Sequence, residues 1–95
     1  MHSDYLTIKK SNINTVVIEK SKFICNISPI KDESDAKSFI EKICKEHSMA
    51  THNCYAYIAD DKGLVGKFSD DGEPQGTAGF PMFDVLKKRG VFKVC

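Results

Sequence analysis

The sequence predicts an α+β domain built in two layers. Three observations lead there. Residues 15–18 and 22–30 alternate or are β-branched in the manner of strands, residues 36–47 repeat at the spacing of one helical face, and a block rich in glycine and proline at residues 69–81 feeds a second helix.

Residues 5–9 alternate apolar and polar side chains, and Thr15, Val16, Val17 and Ile18 form a β-branched run. With Ser11, Asn12 and Asn14 as turn-formers between them, the expectation is two strands joined as a hairpin. Residues 22–30 form a third strand closed by Pro29, with Phe23, Cys25 and Ile27 on one face and Ile24, Asn26 and Ser28 on the other. That pattern suits a sheet with one wet face. Residues 32–35 then supply capping and first-turn acids. Ala36, Phe39, Ile40, Ile43, Cys44 and His47 share a helical face that must pack on the sheet, while Lys37, Glu41, Lys42, Lys45 and Glu46 stay in water.

Residues 52–59 read as a strand, residues 60–63 (D-D-K-G) as a turn, and residues 64–68 as a short returning strand. In the block at 69–81, S-D-D-G-E-P-Q-G-T-A-G-F-P, Gly72, Gly76 and Gly79 permit positive φ or close approach, whereas Pro74 and Pro81 fix φ. Thr77 is the expected N-cap and Pro81 the first-turn proline of a helix over residues 82–89 that stops at Gly90. Residues 91–95 begin a further strand.

Ninety-five residues suffice for one domain, and 41% hydrophobic with 28% charged residues is an ordinary globular composition. A net charge of +1 sets up no global field toward nucleic acid or membrane. No apolar run approaches the roughly 20 residues that span a bilayer, and the expectation is a cytoplasmic protein that needs no membrane. Cys25, Cys44, Cys54 and Cys95 are widely spaced, without a C-x-x-C pair, and read as buried thiols in a reducing compartment rather than as a disulfide or zinc framework. No motif asks for a metal or another cofactor.

Free amides at a helix N-terminus within a glycine-rich loop make an anion site, so Gly76, Thr77, Ala78 and Gly79 are candidate ligand contacts. Asp70, Asp71 and Glu73 join them, either through a divalent cation that accompanies the anion or by pointing to water; a tight, well-capped turn is the plainer alternative. His52 and Cys54, two apart on a strand, point to one side, where they could serve as base and nucleophile or as packing. Lys87, Lys88 and Arg89 lie in the last helical turn, where the helix dipole accounts for them and RNA contact is a lesser reading.

The block at 69–81, continued by M-F-D-V-L-K-K-R-G-V, resembles the YigZ/IMPACT family, whose N-terminal domain carries D-G-E-P-x-G-T-A-G-x-P. A-T-H-N-C-Y-A-Y at residues 50–57 is similar to that family's H-x-C-x-A-[FY] strand, and S-K-F-I-C at residues 21–25 agrees, so the resemblance runs from about Glu19 to the end. It implies a ribosomal protein S5 domain 2-like fold: a mainly antiparallel sheet with helices on one face. In the family the chain continues into an R-Y-[FY]-G-G segment that is not in this sequence. The expectation is therefore one N-terminal-type domain over 1–95, incomplete at its C-terminal end, with an exposed sheet edge that could pair with a second copy.

The family's eukaryotic members inhibit a starvation-sensing translational kinase by competing for its activator. The resemblance thus implies a non-enzymatic regulatory domain that binds RNA or a translation-associated protein. The alternatives are a hydrolase built on His52, Cys54 and the acidic loop, and a purely protein-binding module.

Overall fold

The computed structural model describes residues 6–18, 21–50, 52–72, 76 and 78–95. The elements follow as β1 (Asn12–Ile18), β2 (Ser21–Ile27), α1 (Glu33–Glu46), β3 (Tyr55–Ile58), β4 (Gly66–Ser69) and α2 (Gly79–Lys88). This is the expected α+β class: two antiparallel strand pairs with two helices.

The hairpin is not the expected one. Asn12 and Asn14, expected in a turn, lie inside β1, which pairs with β2 in unbroken register from Asn12 opposite Ile27 to Ile18 opposite Ser21. Pairing along seven residues outweighs the weak strand propensity of two asparagines. Of the strand expected at 5–9, only Leu6 pairs, in a parallel bridge to Val91; Tyr5 lies outside the described residues. β1 and β2 pack chiefly on each other rather than on the helices or on β3 and β4, in a molecule with extents of 48 × 23 × 20 Å. For that reason Cys25, expected to be buried, is exposed, and Phe23 is 55% exposed.

The chain that follows β2 returns to the body. Ser28 and Cys95 exchange main-chain hydrogen bonds at 3.0 and 2.9 Å, and Ile58 and Val94 exchange two more at 3.1 Å each. The expected last strand is thus a short segment held between residues 28–30 and β3, with Val94 fully buried.

α1 forms as its sequence dictates. The Asp32 side chain accepts from the Asp35 amide at 2.8 Å, and Asp35 Oδ2 accepts from the Lys31 amide at 3.0 Å, a reciprocal cap. All six residues of the expected apolar face are buried or half-buried, and the five charged ones are exposed. Ala36 and Ile40 pack with Tyr55, Tyr57, Ala59 and Ile30 in the core. The Tyr57 hydroxyl donates to Glu33 at 2.6 Å, which ties the start of α1 to β3. Along β4, Phe68 pairs with Ala56 and meets Phe80 and Phe83 of α2, so β3 is covered on both sides. Ala56, Tyr57 and Ile58 are accordingly all buried.

The β3–β4 connection is the expected turn. The Asp60 carboxylate accepts from the amides of Lys62, Leu64 and Val65 at 2.9 to 3.3 Å, and Gly63 takes φ +74. Partial burial pushes the Asp60 carboxyl up, but those amides more than offset it, and its pKa is lowered from 3.8.

Candidate functional site

The two sequence blocks meet at the end of β4. Residues 52–54, expected inside a strand, instead form no regular element ahead of β3 and are fastened to the loop that follows β4. The Asn53 amide donates to the Asp71 carboxylate, which takes the place of a strand partner. His52 Nδ1 lies 2.7 Å from the Asp71 carbonyl, so this nitrogen carries the proton, and the Cys54 thiol donates to the Asp70 carbonyl at 3.2 Å. His52 and Cys54 do reach the same loop, on two successive carbonyls.

The loop turns sharply there. Asp71 has φ +45 and Gly72 φ +84, the left-handed pair that asparagine, aspartate and glycine accept most readily. The His52 ring passes close: a Cβ on Gly72 would sit 3.6 Å from it.

Asp70 does what an exogenous anion was expected to do. Its carboxylate accepts from the amides of Gly76 at 3.1 Å, Ala78 at 3.1 Å and Gly79 at 2.7 Å. The N-cap position of α2 is Ala78, which has no side chain able to cap, and the helix begins at Gly79. Asp70 supplies the missing cap from a distance in sequence, and its negative charge lies at the positive end of the helix. The Gly76 amide, opposed by slight desolvation and reinforced by those of Ala78, Gly79 and Phe80, holds the carboxyl below its usual 3.8. Among the described residues, the amides expected to be free for a ligand, those of Gly76, Ala78 and Gly79, are therefore occupied from within the chain. Glu73 and Thr77, the other expected contacts, lie outside the described residues.

Gly79 shows why the block needs glycine at this point. A Cβ there would lie 2.3 Å from the Ser69 carbonyl oxygen and 2.6 Å from its carbon, so α2 seats its first turn directly on the last residue of β4. At the other end of the helix Gly90 takes φ +65, the expected stop. Of the basic cluster, Lys88 pairs with Asp84 at 2.9 Å and Lys87 lies 5.8 Å over the Phe83 ring. Both contacts are local to the helix.

Two residues absent from the sequence-based candidates complete the site. Phe68 and Phe80 meet edge to face at 5.5 Å, remain 39% and 45% exposed, and with Asp70 and Gly76 line an open depression of about 420 Å³. Their signal in the sequence is position alone: one aromatic immediately before the S-D-D-G turn and one inside the G-F-P step. No group of three or more metal-ligating side chains is assembled among the described residues. Nor is any helix there long and apolar enough to cross a membrane.

The chain is similar to other proteins over most of its length. Residues 19–95 match the Impact N-terminal domain. The IMPACT family member YvyE of Bacillus subtilis is 50% identical over 95 residues, all of this chain and 43% of that protein. The IMPACT family member YigZ of Escherichia coli is 44% identical over 80 residues, 81% of this chain and 39% of that one. A crystal structure described as that of a hypothetical protein superimposes with a TM-score of 0.87 at 36% identity, covering 99% of this chain and 47% of the other. The chain thus spans less than half the length of these relatives. By sequence match, fold and the D-G-E-P-Q-G-T-A-G-F-P sequence block, this chain belongs to the IMPACT family, as its N-terminal domain.

Proposed function

We propose that the chain is a non-enzymatic binding domain that docks a translation-associated protein through the depression at Phe68 and Phe80. The observation that carries this reading is the commitment of the polar groups around it. Asp70 caps α2, and His52 and Cys54 hold the carbonyls of Asp71 and Asp70. What faces outward beside them is an aromatic pair with a polar rim, the composition of a protein-binding anchor. Carried on β4 and α2, these rings are already in place, so association loses little to ordering. The translation context rests on the family resemblance.

The hydrolase reading needs a base beside a nucleophile. Here the His52 nitrogen and the Cys54 thiol are each directed at a different main-chain carbonyl, which favours a bracing role. RNA binding has the aromatic faces in its favour. It has little charge to draw on: the net charge is +1, and Lys88 is paired with Asp84.

The test is cosedimentation of the chain with ribosomes and their bound factors at about 0.1 M and about 0.5 M salt, with and without ribonuclease. Wild type is expected to be retained in all conditions, and Phe80→Ala, which keeps the Phe80 amide, to be released. Release of the wild type by salt and by ribonuclease overturns protein docking in favour of RNA. Failure to sediment in any condition removes the translation context.

A further inference from the structure

β1 has β2 on one side and, among the described residues, no strand on the other. Natural edge strands are blunted by charge, proline or a bulge, because unpaired main-chain groups recruit other strands. β1 has none of these devices. Its sequence N-I-N-T-V-V-I contains no charged residue and no proline, and its register with β2 is unbroken.

The direction of its main-chain groups can be read. The Ile13 amide donates to the Asn12 side chain at 2.8 Å, and therefore points away from β2. Main-chain groups alternate between the two sides of an antiparallel strand, so Thr15 and Val17 present theirs to the free edge as well. Ile13 and Val17 are 65% and 67% exposed, and Ile24, opposite Thr15 on the same face, is 38% exposed.

We propose that β1 pairs antiparallel with β1 of a second copy, about a two-fold axis at Thr15. Thr15 then faces Thr15 of the second copy, and Ile13 faces Val17 in both directions. The three edge-facing positions are thus β-branched on both sides of the axis, which makes the strand complementary to itself. In the resulting four-stranded sheet, Ile13, Thr15, Val17 and Ile24 from both copies form one continuous apolar stripe. An uncharged edge offers a charged partner strand nothing to match, and a net charge of +1 gives two copies little to repel. The paired segment is short, so the dimer forms reversibly with concentration.

Sedimentation velocity and amide exchange by NMR, over about 10 μM to about 1 mM, test this. Association should slow exchange at Ile13, Thr15 and Val17 as concentration rises, while Asn14 and Val16, which face β2, stay unchanged. Thr15→Lys sets two cations against each other at the axis and should raise the dimer Kd at least about tenfold, whereas Thr15→Val should preserve it. Retained protection at Asn14 shows that the ribbon in Thr15→Lys is intact; if that protection is lost, the wild-type exchange pattern decides. A chain still monomeric at about 1 mM overturns the proposal, as does association that leaves the three odd-numbered amides unprotected or is indifferent to Thr15→Lys.

Discussion

Replacing Gly79 by alanine separates two opposed effects that the structure allows to be weighed. Gly79 is the first residue of α2, where alanine is favoured over glycine by about 0.5–1 kcal/mol through backbone entropy and helix propensity. Against this stands a Cβ placed 2.3, 2.6 and 2.8 Å from three main-chain atoms of Ser69. Comfortable contact begins near 3.5 Å, so relief needs a shift of about 1 Å between α2 and β4. Both are rigid elements, and the atoms met belong to backbone that has no rotamer to change. Overpacking of this kind destabilises by about 1–3 kcal/mol, and a shifted helix also carries the Gly79 amide away from Asp70. The net expectation is a loss of about 1–2 kcal/mol, or roughly 5–15 °C in Tm for a domain of this size. Thermal and urea unfolding followed by circular dichroism measure it. Gly90→Ala is the reference, since no neighbour lies within 4 Å of its would-be Cβ and only its φ of +65 resists, at about 1 kcal/mol. If Gly79→Ala is as stable as wild type, or less affected than Gly90→Ala, the seating of α2 on Ser69 is refuted.

Two further outcomes follow from ionisation. Asp70 has its folded pKa lowered, so its stabilisation is present above its ordinary value of 3.8 and is lost as pH falls through the folded value. Asp70→Asn should be less stable than wild type at neutral pH, with the difference closing in acid; a gap that persists unchanged well below pH 3.8 would mean that the charge plays no part. In alkali the sign reverses. Burial, and then the hydrogen bond to Glu33, raises the Tyr57 pKa above its ordinary 10.0, while burial pushes the Cys95 thiol from 9.0 up to about 12. Stability is fully present below the ordinary values and should fall above pH 9 and more steeply above 10, by up to about 1.4 kcal/mol per pH unit for each group, with Tyr57→Phe removing one of the two contributions. Urea midpoints across pH 8 to 11 in wild type and Tyr57→Phe check this, and identical profiles would sink the assignment.

How much of this was legible in the sequence depended on how local the cause was. α1 could be read residue by residue, because its cap, its apolar face and its charged face are all set within three or four positions. The turn at 60–63 was equally clear, since Asp60 reaches only its own next few amides. The hairpin was misplaced because Asn12 and Asn14 carry a local turn preference that cross-strand pairing overrides, and periodicity cannot show which run will find a partner. Residues 52–54 are not the strand that was expected, because the Asp71 side chain takes the Asn53 amide that a ladder would need. The acids of the S-D-D-G turn were recognisable as special. Their role was not, since the Asp70 contacts to Ala78 and Gly79 span eight and nine residues.

Glycine-rich loops at helix starts share this ambiguity. Exposed amides, small residues and a helix dipole describe a place where negative charge is stabilised, and nothing in that description says whose charge it is. When the loop itself contains a carboxylate, the intramolecular anion holds an advantage that a dissolved one must overcome by concentration, because its translational entropy is already lost in the fold. A free phosphate would have to displace Asp70 and leave that charge beside the bound anion. Asp70 therefore removes the site from competition while it fixes the loop, and the surface we propose for docking lies one step outward, at the rings of Phe68 and Phe80 on the two elements that Asp70 holds together.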